Sequence, residues 1–177
     1  MTFGDRVSFV LQEAEDGGVD RCFLNLARGF VQRGVGADLL VRNLPDALLA
    51  LTDPAVNLFR LGSSTRQLEP LARALEEHGK PAALMAAKDS DARLALALGR
   101  RITAPTVLVA SLDHSGQLEG RRAGRWRRWR RFRELRGLYG QADRIICVSQ
   151  GVADDMVHIL AGACPPISIL PNPVITP

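Results

Sequence analysis

The sequence predicts a doubly wound α/β domain, a mostly parallel sheet with helices on both faces. Three observations predict it. Short apolar runs, beginning with Val7-Ser8-Phe9-Val10-Leu11, alternate with stretches whose apolar residues recur at helical spacing. The first run turns into the first helical pattern through Gly17-Gly18, a strand–turn–helix unit. At 177 residues and 46% hydrophobic composition, the chain can bury a full core as one domain. Strands that alternate with helices pair in parallel, and right-handed crossovers then give a Rossmann-like sheet.

The elements follow in order. Residues 6–11 form the first strand. Val19, Cys22, Phe23, Leu26, Ala27 and Phe30 place one apolar face on the first helix, which Gly34 and Gly36 end. Residues 37–41 are a short buried strand, 43–54 a loop or broken turn of helix with two prolines, and 56–61 a third strand closed by Gly62-Ser63-Ser64. Ser64 or Thr65 caps a helix through Leu68, Leu71, Ala72 and Leu75, stopped at Gly79-Lys80-Pro81. Alanine-rich residues 82–87 make a weak fourth strand. Residues 89–101 are helical, capped by Asp89 or Ser90, with Leu94, Ala95 and Leu98 inward. Pro105 opens a fifth strand, 106–110, and a polar loop, 111–120, leads to an arginine-rich helix. Residues 144–148 are the sixth strand. Ser149 caps a helix over 152–161, and 167–170 is the last strand before Pro171-Asn172-Pro173.

Composition excludes several classes. Cys22, Cys147 and Cys164 lie far apart with no C-x-x-C pair, which argues against a disulfide framework or a zinc site. Asp5 and Arg6 abut the first strand, so no basic-then-apolar leader is read there. No apolar run approaches the roughly 20 residues that span a bilayer. A cytoplasmic location is expected. The net charge of +4 conceals an asymmetry: residues 121–136 hold nine arginines against Glu134, a local +8, and the remainder sums to −4.

Beyond the carboxyl ends of such a sheet, the loops at 12–20, 88–91, 111–115 and 149–151 are where ligands bind. Gly17 and Gly18 mark the first as a phosphate-proximal loop, because glycines permit unusual backbone angles and close approach, and a helix amino end attracts anions. A tight turn without a ligand is the alternative. Nicotinamide binding is disfavoured: there is no G-x-G-x-x-G, and Arg42-Asn43 stand where a ribose-binding acid belongs. No P-loop is present.

Gly17-Gly18-Val19-Asp20-Arg21 with Asn25-Leu26-Ala27-Arg28-Gly29 and Arg33-Gly34 resembles the start of family 4 retaining glycosyltransferases of the GT-B fold. Residues 142–149, Ala-Asp-Arg-Ile-Ile-Cys-Val-Ser, resemble their sixth strand, and Asn172-Pro173-Val174 resembles their interdomain hinge. Asp20 stands where a glutamate is common, and Val35 where a histidine often follows the glycine. The resemblance implies that 1–170 is the acceptor-side, amino-terminal domain, and that 171–177 begins the hinge to a carboxyl-terminal, donor-binding domain. It implies retaining transfer from a nucleotide sugar to a glycan or lipid-linked acceptor, as in cell-envelope polysaccharide or lipopolysaccharide synthesis. The nucleotide sugar is a substrate; neither cofactor nor metal is implied. The fragment alone is expected to be inactive.

His114 is the candidate catalytic residue, since the resemblance gives it a hydrogen bond to a donor-sugar hydroxyl; a solvated loop histidine is the alternative. His78 and His158 read as a helix-end cation and a helix-surface residue. Lys88, Asp113 and Ser149 are acceptor-side candidates, and Asp89 a weaker one, set against ordinary roles as solvated loop charge or helix cap. The arginine segment has three readings: nucleic-acid binding, the least favoured; an anionic membrane surface met by Arg125, Trp126, Arg128, Trp129 and Arg130; or an exposed helix packing through Phe132, Leu135 and Leu138. The last two are compatible. A non-catalytic binding module, or an unrelated flavodoxin-like domain, is the rival to the enzyme.

Overall fold

The computed structural model describes residues 6–62, 68–120, 124–162 and 164–172. Seven strands form one sheet in the order β3-β2-β1-β4-β5-β6-β7, with helices around it, and the pairings described are parallel. This is the expected Rossmann-like α/β class. Strand order reverses at β1 and β4, which makes their carboxyl ends the topological switch point.

By contact density the chain divides into two compact units, one running to Thr106 and one covering Val107–Asn172. The first contains β1 (Arg6–Val10), α1 (Gly18–Val31), β2 (Gly36–Val41), α2 (Asp46–Leu49), β3 (Asn57–Arg60), α3 (Leu68–Gly79), β4 (Ala83–Ala86) and α4 (Asp89–Ile102). Its core overlaps the set that the periodicities select: Phe23, Ala27, Ala72, Leu75, Ala95 and Leu98 are buried, whereas Leu26, Phe30, Leu71 and Leu94, expected inward, are only half-buried, and Leu24, Leu48 and Leu96 are buried without being selected. Phe9 meets Phe23 edge-on at 5.4 Å and Phe30 at 6.0 Å, with Leu11, Leu39, Leu48, Leu75, Leu84 and Leu98 buried. Such strands read as near-continuous apolar runs because both faces are covered. The charged exception is Asp38 in β2, fully buried. It accepts from Arg6 Nη1 at 2.6 Å, Ser8 Oγ at 2.7 Å and Asn57 Nδ2 at 3.2 Å, donors from both neighbouring strands.

The second unit holds most of β5 (Thr106–Ala110), then α5 (His114–Gly120), α6 (Arg125–Tyr139), β6 (Arg144–Cys147), α7 (Gln150–Leu160) and β7 (Ile167–Ile169). Leu108, Leu135, Ile145, Met156 and Ile159 are buried. Ser149 caps α7 as expected, accepting from Val152 N at 3.3 Å. All three cysteines are free thiols.

Three expectations need correction. Residues 114–120 are not a polar loop but the helix α5. That stretch has no apolar period to announce it, and its first turn is held by Asp113 and, from far along the chain, Asp155. Helix α4 is not capped by Asp89 or Ser90: Lys88 is its N-cap residue, without a side-chain cap, and both expected caps lie inside the first turn. Gly17 and Gly18 do not adopt glycine-only angles. Gly17 is extended (φ −81°, ψ 167°), and the left-handed residue of the turn is Asp16, at φ 58°. The expected caps Ser64 and Thr65, together with Arg121, Arg122 and residues 173–177, lie outside the described residues.

Candidate functional site

In the first unit, the loops after β1 and β4 are built around two buried acids. Asp20, fully buried in the first turn of α1, turns Oδ2 back to accept the amides of Glu15 (2.8 Å) and Gly17 (3.2 Å). Its third residue thus satisfies the N-cap amide of α1, while Gly17 has no side chain to complete a reciprocal box. Oδ1 of Asp20 lies 2.8 Å from Lys88 Nζ, which also donates to the Glu13 carbonyl at 2.7 Å. The expected site residues Gly17, Gly18 and Lys88 are therefore brought together. Lys88 serves here as the counter-charge of the loop, and neither solvated charge nor side-chain cap describes it.

Asp91, 1% exposed in the first turn of α4, accepts the backbone amide and the Nε2 of Gln12, each at 3.2 Å. Burial pushes its carboxyl above the usual carboxylate range, against the lowering pull of the Gln12 bonds and Lys88. From β2, Arg42 reaches Gln12 Oε1 and Glu13 Oε1, each at 3.1 Å, so the position that would hold a ribose-binding acid instead holds the loop's clamp. At the rim, Arg21 pairs with Asp16 at 2.7 Å and holds that carboxyl below its ordinary value. A Cβ built on Gly18 meets nothing within 4 Å, and one on Gly17 only Asp20 Oδ2 at 3.6 Å. The glycines therefore leave open space at the helix end rather than relieving strain. A cavity of about 450 Å³ beside β3, lined by Phe59, Arg60, Leu61, Pro70 and Leu71, includes none of the expected residues.

In the second unit, His114 opens α5 and is 6% exposed, so it is not a solvated loop residue. Asp155 of α7, itself buried, accepts the amides of His114 (2.8 Å) and Ser115 (3.3 Å) through Oδ2. Asp113 Oδ1 accepts the Gly116 amide at 2.7 Å; a Cβ on Gly116 would sit 2.1 Å from Asp113 Oδ2, so this cap requires glycine there. Asp113 and His114 thus share one turn. Asp113 and Ser149 both act as helix caps. Of the other histidines, His78 closes α3 and meets Phe59 edge-on at 5.5 Å. His158 is exposed on α7 and meets Phe132 at 5.9 Å.

Sequence reasoning gave no role to Asp20, and it missed Asp91 and Asp155 altogether. One signal was available for all three. Asp20 shares its helix stripe with Phe23, Leu24 and Ala27, Asp91 with Ala95, Leu98 and Ile102, and Asp155 with Val152, Met156 and Ile159. An acid on an apolar stripe is buried, and a buried acid has partners.

Residues 16–176 match the family described as Glycosyltransferase Family 4. The chain belongs to that family. Solved structures share its fold, that of the GT-B glycosyltransferases. Anabaena HepE in complex with UDP-glucose superposes with a TM-score of 0.70 at 12% identity, over 94% of this chain and 43% of HepE. Phytolacca americana UGT2 gives 0.67 at 13% identity, over 97% and 52%. The lipopolysaccharide outer core galactosyltransferase WaaB gives 0.64 at 15% identity, over 96% and 46%. The family 4 chain thus spans about half the length of these enzymes, or less. No curated protein matches it.

Proposed function

We propose that this family 4 domain is the acceptor-side half of a glycosyltransferase that moves a sugar from a nucleotide sugar to a glycan or lipid-linked acceptor, with retention. The observation that carries the reading is the loop at the β1/β4 switch point. Its backbone is gripped from below by Asp20, Lys88 and Asp91, and the space above Gly18 is open. In this role the amino end of α1 stabilises charge on the leaving diphosphate, together with cationic side chains of a carboxyl-terminal domain. His114 hydrogen-bonds a sugar hydroxyl from a turn that Asp155 fixes. Neither cofactor nor metal enters the scheme. HepE is described with UDP-glucose and WaaB as a lipopolysaccharide outer core galactosyltransferase, which supports a nucleotide sugar and a cell-envelope product.

The test uses the polypeptide at its natural length, a panel of nucleotide sugars, detection of released nucleotide and NMR of the product anomer. His114→Ala and Gly18→Val are each expected to lower kcat/KM by a factor on the order of 10². Because a side chain at Gly18 meets open space, Gly18→Val should unfold at the wild-type temperature, so its loss reports ligand approach. No acceptor-dependent nucleotide release from any donor would leave a binding module instead. An inverted product would overturn retention, and wild-type kinetics in His114→Ala would remove that residue from the site.

A further inference from the structure

We propose that the solvent face of α6 is a docking surface for a bilayer rich in anionic phospholipid; the proposal rests on the reading above only for the expectation of a membrane-borne acceptor. Leu135, Leu138 and Tyr139 bury one side of the helix, against α7. At about 100° per residue, Trp126, Trp129, Arg130 and Arg133 fall on the opposite side. The two tryptophans are 66% and 55% exposed. The third aromatic of the i, i+3 series, Phe132, drifts onto the packed side and is half-buried. A helix that needed aromatics only for packing would not turn the two largest outward.

The charges point the same way. Among the acids, Glu119 pairs with Arg128 at 3.1 Å, and Glu134 with Arg130 at 3.0 Å and Arg131 at 3.8 Å. Arg125 and Arg127 have no acidic partner among the described residues. No acid stands in the first turn of α6, where arginines oppose the helix dipole and one another. In the free protein the unpaired arginines and outward indoles are unfavourable. Both become favourable at an interface where phosphates take the guanidinium forks and indole rings sit at headgroup depth. Seven arginines in 15 residues place such a helix on a bilayer rather than through it.

Nucleic acid offers the same phosphate chemistry but would use the tryptophans as stacking platforms. Each ring already carries a guanidinium from the next turn, Arg130 at 5.8 Å from Trp126 and Arg133 at 5.5 Å from Trp129. That leaves at most one face per ring for a base, whereas an indole with flanking arginines suits the bilayer interface.

The experiment compares the natural-length polypeptide with two variants, Arg125→Gln/Arg127→Gln/Arg130→Gln/Arg133→Gln and Trp126→Ala/Trp129→Ala. Sedimentation uses phosphatidylglycerol–phosphatidylcholine vesicles and pure phosphatidylcholine vesicles at ~0.1 M salt. Gel shifts with duplex DNA and single-stranded RNA run at matched salt, and thermal melts confirm folding. The wild type should partition at least about tenfold more strongly to anionic vesicles, at roughly fivefold per engaged arginine. The arginine variant should lose that preference, and the tryptophan variant should bind several-fold more weakly to both vesicle types. Equal partitioning to both vesicles, unchanged binding by a folded arginine variant, or tighter binding to nucleic acid than to vesicles would overturn the proposal. Nucleotide release with a soluble acceptor is measured alongside. Transfer without docking sinks only this surface, and docking without transfer sinks only the enzymatic reading.

Discussion

Asp20, Asp91 and Asp155 carry the local logic of this domain. Each is an acid on an apolar helix stripe, and each spends one carboxyl oxygen on amides of a neighbouring loop or turn. Asp91 is the one whose cost is visible in its titration. Its folded carboxyl ionises above the ordinary 3.8, so the folded state keeps a proton that the unfolded chain has released. Stability should therefore fall as pH rises from about 4 through the raised value, and the penalty should persist above it. Asp91→Asn keeps an acceptor for Gln12 and removes the buried charge. Urea unfolding across pH 4–7 should show the variant gaining on wild type as pH rises, and a pH-independent difference would contradict this. Little of this was legible beforehand. The motif Gly-Gly-Val-Asp-Arg points to the loop that Asp20 and Lys88 hold, but the conformational role that it suggests for the glycines belongs to Asp16. Which amides a carboxylate will accept depends on chain segments up to 79 residues apart, and no local pattern encodes that.

At the scale of elements, period sufficed wherever a helix had an apolar face. Helices α1, α3, α4 and α7 and all seven strands lie where alternation and 3.6-residue spacing put them, within a residue or two at most ends. Helix α5 was not legible, because its short polar sequence is folded by contacts rather than by propensity. Asp155 supplies the decisive ones. Asp155→Ala would strand the buried amide of His114 and the half-buried amide of Ser115, and should cost about 1–3 kcal/mol. Asp155→Asn, which retains an oxygen acceptor, should cost less. Urea titration gives the energies, and amide exchange at His114 shows whether the loss is local. Equal stability of Asp155→Ala and wild type would mean that α5 is held by other contacts.

At the scale of the whole molecule, strand order places the loop after β1, with Gly17 and Gly18, at the switch point, and the charge asymmetry sets the arginine segment apart from an acidic remainder. The sheet also has to be assembled correctly, and Asp38 bears on that. Parallel strands pair only after long crossovers have closed, which makes such sheets slow to form and open to error. Apolar strands are poor at detecting a slip, since one leucine or valine packs much like the next. In the native register Asp38 stands directly beside Ser8 on one strand and Asn57 on the other. A shift of a single residue turns it to the opposite face, away from all three donors. A misaligned β1-β2-β3 assembly would leave this buried charge without its donors, a cost that disfavours it, so the carboxylate is expected to act as an error check during folding. Asp38→Leu, which removes the check but keeps the strand apolar, should show its defect in the yield of refolding from urea, with off-register aggregates accumulating as protein concentration rises. A wild-type yield across that range would mean the register is enforced elsewhere.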